Sequence, residues 1–230
     1  MFSSFDFDVI RRSLAYLFLD GMTFTLMLTG LAALGGLVFG TLIALMRLSG
    51  YRLLGRIAGL YVDFMRSLPL VLVIFWFYFL VPYIGQWLTG AARPIRVGAF
   101  ASSLITFTLF EAAFFAEIMR AGIQSIARGQ VFAAQALGMT YPQTMGYIVL
   151  PQAFRNMVPV LLTQTIILFQ DTSLVYVLSI TDFLGAASKI AQRDGRLVEM
   201  YIFAAIVYFI VSFGLSLLVK QLQKKIAIIR

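Results

Sequence analysis

Apolar residues along this chain gather into five long runs, at about 22–46, 57–81, 97–119, 158–180 and 200–219. Each run approaches the roughly twenty residues with which an α-helix crosses the hydrocarbon core of a bilayer. The pattern predicts an all-α membrane protein of five transmembrane helices. A short amphipathic lead, about 9–19, precedes the first run, and Asp20-Gly21 separates the two. Gly36 and Gly40 in the first run make a G-x-x-x-G spacing, which lets two helices approach closely. In the second run Asp63 and Arg66 stand just before Pro69, which predicts a kink or a new helix there. A loop with Gly85, Gly90 and Pro94 follows, at about 82–96. No internal repeat, heptad or low-complexity stretch is visible, so residues 1–230 read as a single transmembrane domain.

Between the third and fourth runs lies a stretch of different character. Gly129 and Gly138 bracket residues rich in Ala, Gln and Leu, which are good helix formers. Gly138 suits a helix C-cap, and Tyr141-Pro142 opposes immediate continuation. This predicts a short helix of about two turns within a loop at about 124–155.

Composition agrees with a membrane protein and narrows the chemistry. The chain is 61% hydrophobic, has a mean hydropathy of +0.92 and is 12% charged. A soluble domain carries roughly 25% charged residues. There is no cysteine and no histidine, which excludes disulfides, thiol chemistry, Cys/His metal sites and imidazole catalysis. The net charge of +8 is explained by cytoplasmic loops of a membrane protein, so no nucleic-acid partner is expected. The first eight residues carry Asp6 and Asp8 and no basic region, which does not resemble a cleavable signal.

The basic residues set the orientation. One set of alternate loops receives Arg47, Arg52, Arg56, Arg66, Arg120, Arg128, Arg155, Lys220, Lys224, Lys225 and Arg230. The other receives Arg11, Arg12, Arg93, Arg96, Lys189, Arg193 and Arg196, which Asp6, Asp8, Asp20, Asp182, Asp194 and Glu199 nearly cancel. The first side is therefore cytoplasmic, with the N-terminus outside, the C-terminus inside and the loop at 124–155 inside.

That loop carries a recognisable pattern. Ala133-Ala134 is followed by three residues and Gly138, and nine more lead to Ile148, with Leu150-Pro151 closing the pattern. This resembles the signature loop of ABC-transporter permeases: E-A-A, three residues, G, nine residues, I-x-L-P. The one departure is Phe132, where the usual residue is Glu. Glu111-Ala112-Ala113 also spells the opening letters, but Glu117 stands where Gly is required and the site falls inside the third run. The resemblance implies a bacterial inner-membrane importer subunit of type I fold. Its short cytoplasmic coupling helix would dock on a separate ATPase dimer, using Gln130, Phe132, Ala133, Ala134, Leu137, Gly138, Leu150 and Pro151.

Further segments sharpen it. Arg66-Ser67-Leu68-Pro69-Leu70, Ala116-Glu117-Ile118-Met119-Arg120-Ala121-Gly122-Ile123 and Leu150-Pro151-Gln152-Ala153-Phe154-Arg155 are similar to the polar amino acid permease branch. The run from Leu168 to Leu178, with Gln170 before Asp171, and Arg193-Asp194-Gly195 resemble glutamate/aspartate permeases, a subgroup that also tends to lack the loop Glu. The resemblance implies an extracytoplasmic binding protein and a second permease subunit, expected to be a different homologous chain. It implies no cofactor in this chain, with ATP and Mg held by the partner ATPase. The chain itself has no G-x-x-x-x-G-K-[ST] phosphate loop.

Ionisable groups inside a span are costly and mark candidate functional positions. Arg66 suits a substrate carboxylate through two parallel hydrogen bonds, or else pairs with Asp63 or reaches to the cytoplasmic interface. Asp171 and Gln164 are seven residues apart and share a helix face. The resemblance suggests that this face lines the substrate path, with Asp171 on the α-ammonium, Gln164 donating to a carboxylate, and Thr172 and Ser173 adding hydroxyls. The alternative is a structural Asp171 among residues that hold helices together. Glu111, Glu117 and Arg120 stand at one-turn or two-turn spacings and read as structural, with Glu117 and Arg120 pairing near the cytoplasmic edge. Competing functions are transport of another polar amino acid, an ion-coupled carrier and an intramembrane enzyme. Carriers usually show internal repeats, and an enzyme would need a nucleophile–base pair that this chain lacks.

Overall fold

The computed structural model describes residues 5–95 and 97–226, and in them the chain is helical. Arg96 and Arg230, two of the basic residues used for orientation, lie outside the described residues. In chain order the helices are α1 (Phe7–Ala15), α2 (Thr23–Leu48), α3 (Arg52–Arg66), α4 (Leu70–Phe75), α5 (Val81–Thr89) and α6 (Ala99–Gln124). Then come α7 (Arg128–Ala136), α8 (Tyr141–Gln143), α9 (Leu150–Asp171), α10 (Phe183–Asp194) and α11 (Leu197–Ile226). Wider π turns at Tyr16–Met22, Trp76–Leu80 and Thr144–Val149 join neighbours without a break, and a 3₁₀ turn, Thr172–Leu178, extends α9. Among the described residues five continuous helical stretches are long and apolar enough to cross a membrane: Phe7–Leu48, Leu70–Thr89, Ala99–Gln124, Tyr141–Leu178 and Leu197–Ile226.

Four boundaries differ markedly from the hydropathy pattern. The second span begins at Leu70 rather than near residue 57. Its expected first half is the separate helix α3, which buries only Ala58, Val62 and Met65, one stripe at helical spacing. Helix α3 ends at Arg66 with Ser67 as its C-cap, Leu68 precedes a proline, which disfavours helical continuation, and Pro69, extended at ψ 128°, becomes the N-cap of α4. The same span runs on to Thr89, past the loop expected from residue 82, and Gly90 ends it at φ +66°. The fourth span resumes at Tyr141 rather than near residue 158. Pro142 falls in the first helical turn, where its missing N–H needs no partner. Gln143 Oε1 accepts from the Thr140 N–H at 2.8 Å and secures that start. The amphipathic lead likewise continues into the first span, because the π turn carries the chain past Asp20-Gly21.

The chain divides into two compact units: up to Leu34, Pro69–Thr108 and Ile166–Leu215 in one, and Gly35–Leu68, Leu109–Thr165 and from Ser216 onward in the other. In the first unit α1 starts on Asp6, whose side chain accepts from the N–H groups of Asp8 and Val9. Leu17, Met22, Phe169, Phe183, Ile190 and Met200 form one core cluster, and Leu28, Ile74, Phe107, Leu168 and Val175 another. A Cβ at Gly21 would lie 2.9 Å from the Ala186 Cβ, so only glycine lets α10 approach here. Arg12 pairs with Asp194 at 3.0 Å and Arg196 with Glu199 at 3.1 Å. The adjacent Arg193 guanidinium bonds the Asp194 carboxyl and holds it below the usual carboxylate range.

In the second unit the G-x-x-x-G spacing does what its sequence suggests. A Cβ at Gly36 would come within 2.9 Å of the Glu111 Cβ, and one at Gly40 within 2.8 Å of the Phe115 Cβ. The α2 and α6 backbones therefore approach where glycine leaves room. Glu117 accepts from Arg47 of α2 and from Arg120 of its own helix, and Arg120 also donates to Gln124. The Tyr61 hydroxyl donates to the Leu109 carbonyl at 2.6 Å and ties α3 to α6.

Candidate functional site

The short helix expected between Gly129 and Gly138 forms as α7. Its C-terminal end is a Schellman motif. Gly138 sits at φ +78°, its N–H bonds the Gln135 carbonyl at 2.9 Å, and the Met139 N–H bonds the Ala134 carbonyl at 3.1 Å. Gly129 does not precede the helix but occupies its second position. Of the α7 residues only Ala134 is buried. Phe132 is 63% exposed and Leu137 is 83% exposed. Tyr141, Tyr147 and Phe154, from the segment that follows, are exposed as well. The Gln152 amide donates both to Gln130 Oε1 and to the Ile148 carbonyl at 2.8 Å, linking α7 to the start of α9. Leu150 and Pro151 are exposed and open α9. Large apolar side chains displayed on a small capped helix form a surface suited to a protein partner.

The polar residues of the spans fall in both units. In the second unit Gln164, half-buried on α9, donates from Nε2 to Glu111 Oε1 at 3.2 Å. Glu111 is 1% exposed. Arg66 is exposed in the last turn of α3, and so lies outside the spans rather than within one. Its guanidinium carbon stands 5.5 Å from the centroid of the Phe114 ring, a cation–π contact, and among the described residues it makes no ion pair with Asp63. In the first unit Asp171, half-buried, ends α9. Thr172 is fully buried and its hydroxyl donates to the Phe169 carbonyl at 2.8 Å, whereas Ser173 is partly exposed.

The pairing of Glu117 with Arg120 follows the sequence expectation. Two partners were missed. Arg47 joins that pair from seventy residues away, and Glu111 meets Gln164 across fifty-three. The available signal was that each is an ionisable residue within or at the end of an apolar run.

The family described as a binding-protein-dependent transport system inner membrane component matches residues 36–228. The chain belongs to this family. As a permease it is a multi-pass inner-membrane protein and a transport subunit. It is 52% identical to the glutamate/aspartate import permease protein GltK of Escherichia coli O6:H1, over 97% of this chain and 99% of that one. It is 33% identical to the probable glutamine ABC transporter permease protein GlnM of Bacillus subtilis, over 91% and 93% of the two chains. Among solved structures the permease superposes on a chain of an amino acid ABC transporter crystallised with histidines. The TM-score is 0.86 at 31% identity, covering 96% of this chain and 98% of that chain. The five spans therefore follow the type I ABC permease fold.

Proposed function

We propose that this permease moves L-glutamate and L-aspartate across the bacterial inner membrane as one membrane-spanning subunit of an ATP-driven importer. The observation that carries the substrate is the 52% identity to GltK over 97% of the chain. An extracytoplasmic binding protein delivers the amino acid. A separate ATPase dimer binds ATP and Mg and docks on α7. A second permease subunit, a different homologous chain, completes the pathway. The N-terminus faces outward and the C-terminus inward, in keeping with the basic loops, and the 230 residues act as one permease domain.

Coupling runs through α7. Phe132 and Leu137 offer apolar area to a groove of the ATPase, and the capped end at Gly138 fixes where the helix stops. Gln130, Ala133, Ala134, Leu150 and Pro151 complete the docking surface. Closure of the ATPase dimer then drives rigid-body alternating access. Along the substrate path Asp171 accepts from the α-ammonium, and Gln164 supplies a neutral amide that does not repel a second carboxylate. Ser173 adds a hydroxyl. Arg66, a bidentate donor, takes a substrate carboxylate on the cytoplasmic side. Thr172 spends its hydroxyl on the Phe169 carbonyl and supports the path from behind.

A permease for glutamine is the second reading, favoured by the 33% identity to a probable glutamine permease. ATP-dependent uptake of labelled L-glutamate into proteoliposomes separates the two. Unlabelled aspartate should compete strongly, and glutamine and arginine weakly. Competition by glutamine at or below the aspartate concentration would move the assignment to the second reading.

A further inference from the structure

Glu111 is the most deeply buried acid within the spans of the second unit, and the reading above gives it no role. It lies on α6, and its Oε1 accepts from Gln164 Nε2 on α9 at 3.2 Å. The α2 backbone closes on the base of its side chain at Gly36, where a Cβ would sit 2.9 Å from the Glu111 Cβ. The carboxyl is therefore held in place from one side and directed at Gln164 on the other. An acid in such a position is costly to bury.

The geometry has a chemical consequence. A side-chain amide is planar, with its NH₂ and its carbonyl oxygen on opposite edges, and a carboxylate only accepts. Glu111 thus takes the NH₂ edge of Gln164 and turns the Oε1 edge the other way. A hydrogen bond donated from Nε2 to an acid also polarises the amide and strengthens its oxygen as an acceptor. We propose that Glu111 is a positioning residue that locks Gln164 with its carbonyl oxygen toward the translocation path, so that Gln164 accepts from the substrate ammonium rather than donating to a carboxylate. The inference rests on Gln164 lining that path. It also places the acid one side chain behind the path, where it orients the amide without facing an acidic substrate directly. Exchanging the two residues brings the acid forward and should favour cationic amino acids.

The test is uptake of labelled L-glutamate by proteoliposomes holding the complete permease–ATPase complex, with arginine and glutamine as competitors. In Glu111→Gln the neighbour both donates and accepts, so Gln164 loses its fixed orientation. KM should rise roughly tenfold with kcat near wild type, the scale of one misplaced hydrogen bond. Gln164→Ala should raise KM at least as much. In the exchange variant Glu111→Gln/Gln164→Glu, arginine should become the better competitor. If Gln164→Ala transports with the wild-type KM, Gln164 is not a path residue and the underlying reading falls. If Gln164→Ala is impaired while Glu111→Gln keeps the wild-type KM and competition profile, only the role of Glu111 falls. Where Glu111→Gln merely lowers the amount of assembled complex, the exchange variant decides, because it retains an acid–amide pair. An unchanged competition profile there would reduce Glu111 to a packing residue.

Discussion

Replacing Gly138 by alanine isolates the backbone geometry that ends α7. Gly138 stands at φ +78°, and a Cβ built there meets nothing within 4 Å. The cost of the substitution is therefore conformational and not steric. Holding an L-residue with a Cβ in the left-handed region costs about 1–2 kcal/mol. The alanine also stiffens the unfolded chain, which offsets about 0.4–1 kcal/mol. The net loss is about 1 kcal/mol, or roughly fivefold in the ratio of capped to frayed helix end. Two hydrogen bonds report on that ratio, from Gly138 N–H to Gln135 O and from Met139 N–H to Ala134 O. Hydrogen exchange at residues 138 and 139 should quicken by about that factor in Gly138→Ala, with substrate-stimulated ATP hydrolysis reduced alongside. Asparagine tolerates left-handed geometry, so Gly138→Asn should show a smaller effect in both assays. Equal behaviour of the alanine and asparagine variants would refute the argument, because a steric or docking effect would not distinguish them in this way.

Three further outcomes follow from the packing and the charges. Gly40→Ala forces a Cβ to within 2.8 Å of the Phe115 Cβ and 3.1 Å of the Ala112 carbonyl, and should destabilise the purified permease by about 1–3 kcal/mol in thermal unfolding. Gly30→Ala on the same helix meets nothing within 4 Å and should stabilise by up to about 1 kcal/mol, so a matching sign for the two would contradict the close-approach account. Asp182, outside the spans, caps α10 through the N–H groups of Leu184 and Gly185, and burial pushes its carboxyl from 3.8 up to about 6. A folded-state pKa above the unfolded one favours the fold at low pH. That contribution is full below 3.8 and is lost as pH rises through about 6, in total about 3 kcal/mol. Asp182→Asn removes the titration and keeps one of the two cap acceptors, so its melting temperature should lose this pH dependence. Asp171→Asn should lower glutamate uptake roughly tenfold or more by removing a charge-assisted acceptor; unchanged uptake would return Asp171 to a structural role.

Much of the architecture was legible because membrane insertion writes itself into long apolar runs. The short capped helix α7 was legible for a different reason, since Gly138 encodes its own backbone geometry. So was the α2–α6 approach, because only glycine fits that spacing. The start of the second span was not. Helix α3 is amphipathic, and its apolar stripe merges with the true span when hydropathy is averaged over a window. Leu68-Pro69 marked the boundary, yet it was equally consistent with a kink. The continuous fourth span was hidden because proline reads as a terminator, although in a first turn it is an initiator. Partners distant in sequence were hidden more completely. Nothing local to Glu117 indicates Arg47, and nothing local to Gln164 indicates Glu111, because helix packing alone brings each pair together.

The most direct measurement of the central claim is ATP hydrolysis by the reconstituted complex, with its ATPase and binding protein, across glutamate, aspartate, glutamine and arginine. Stimulation by glutamate and aspartate, abolished when Phe132 of α7 and Leu137 at its C-cap are both replaced by aspartate, is the predicted result. Hydrolysis that ignores all four amino acids, or that survives the loss of the α7 surface, would contradict it.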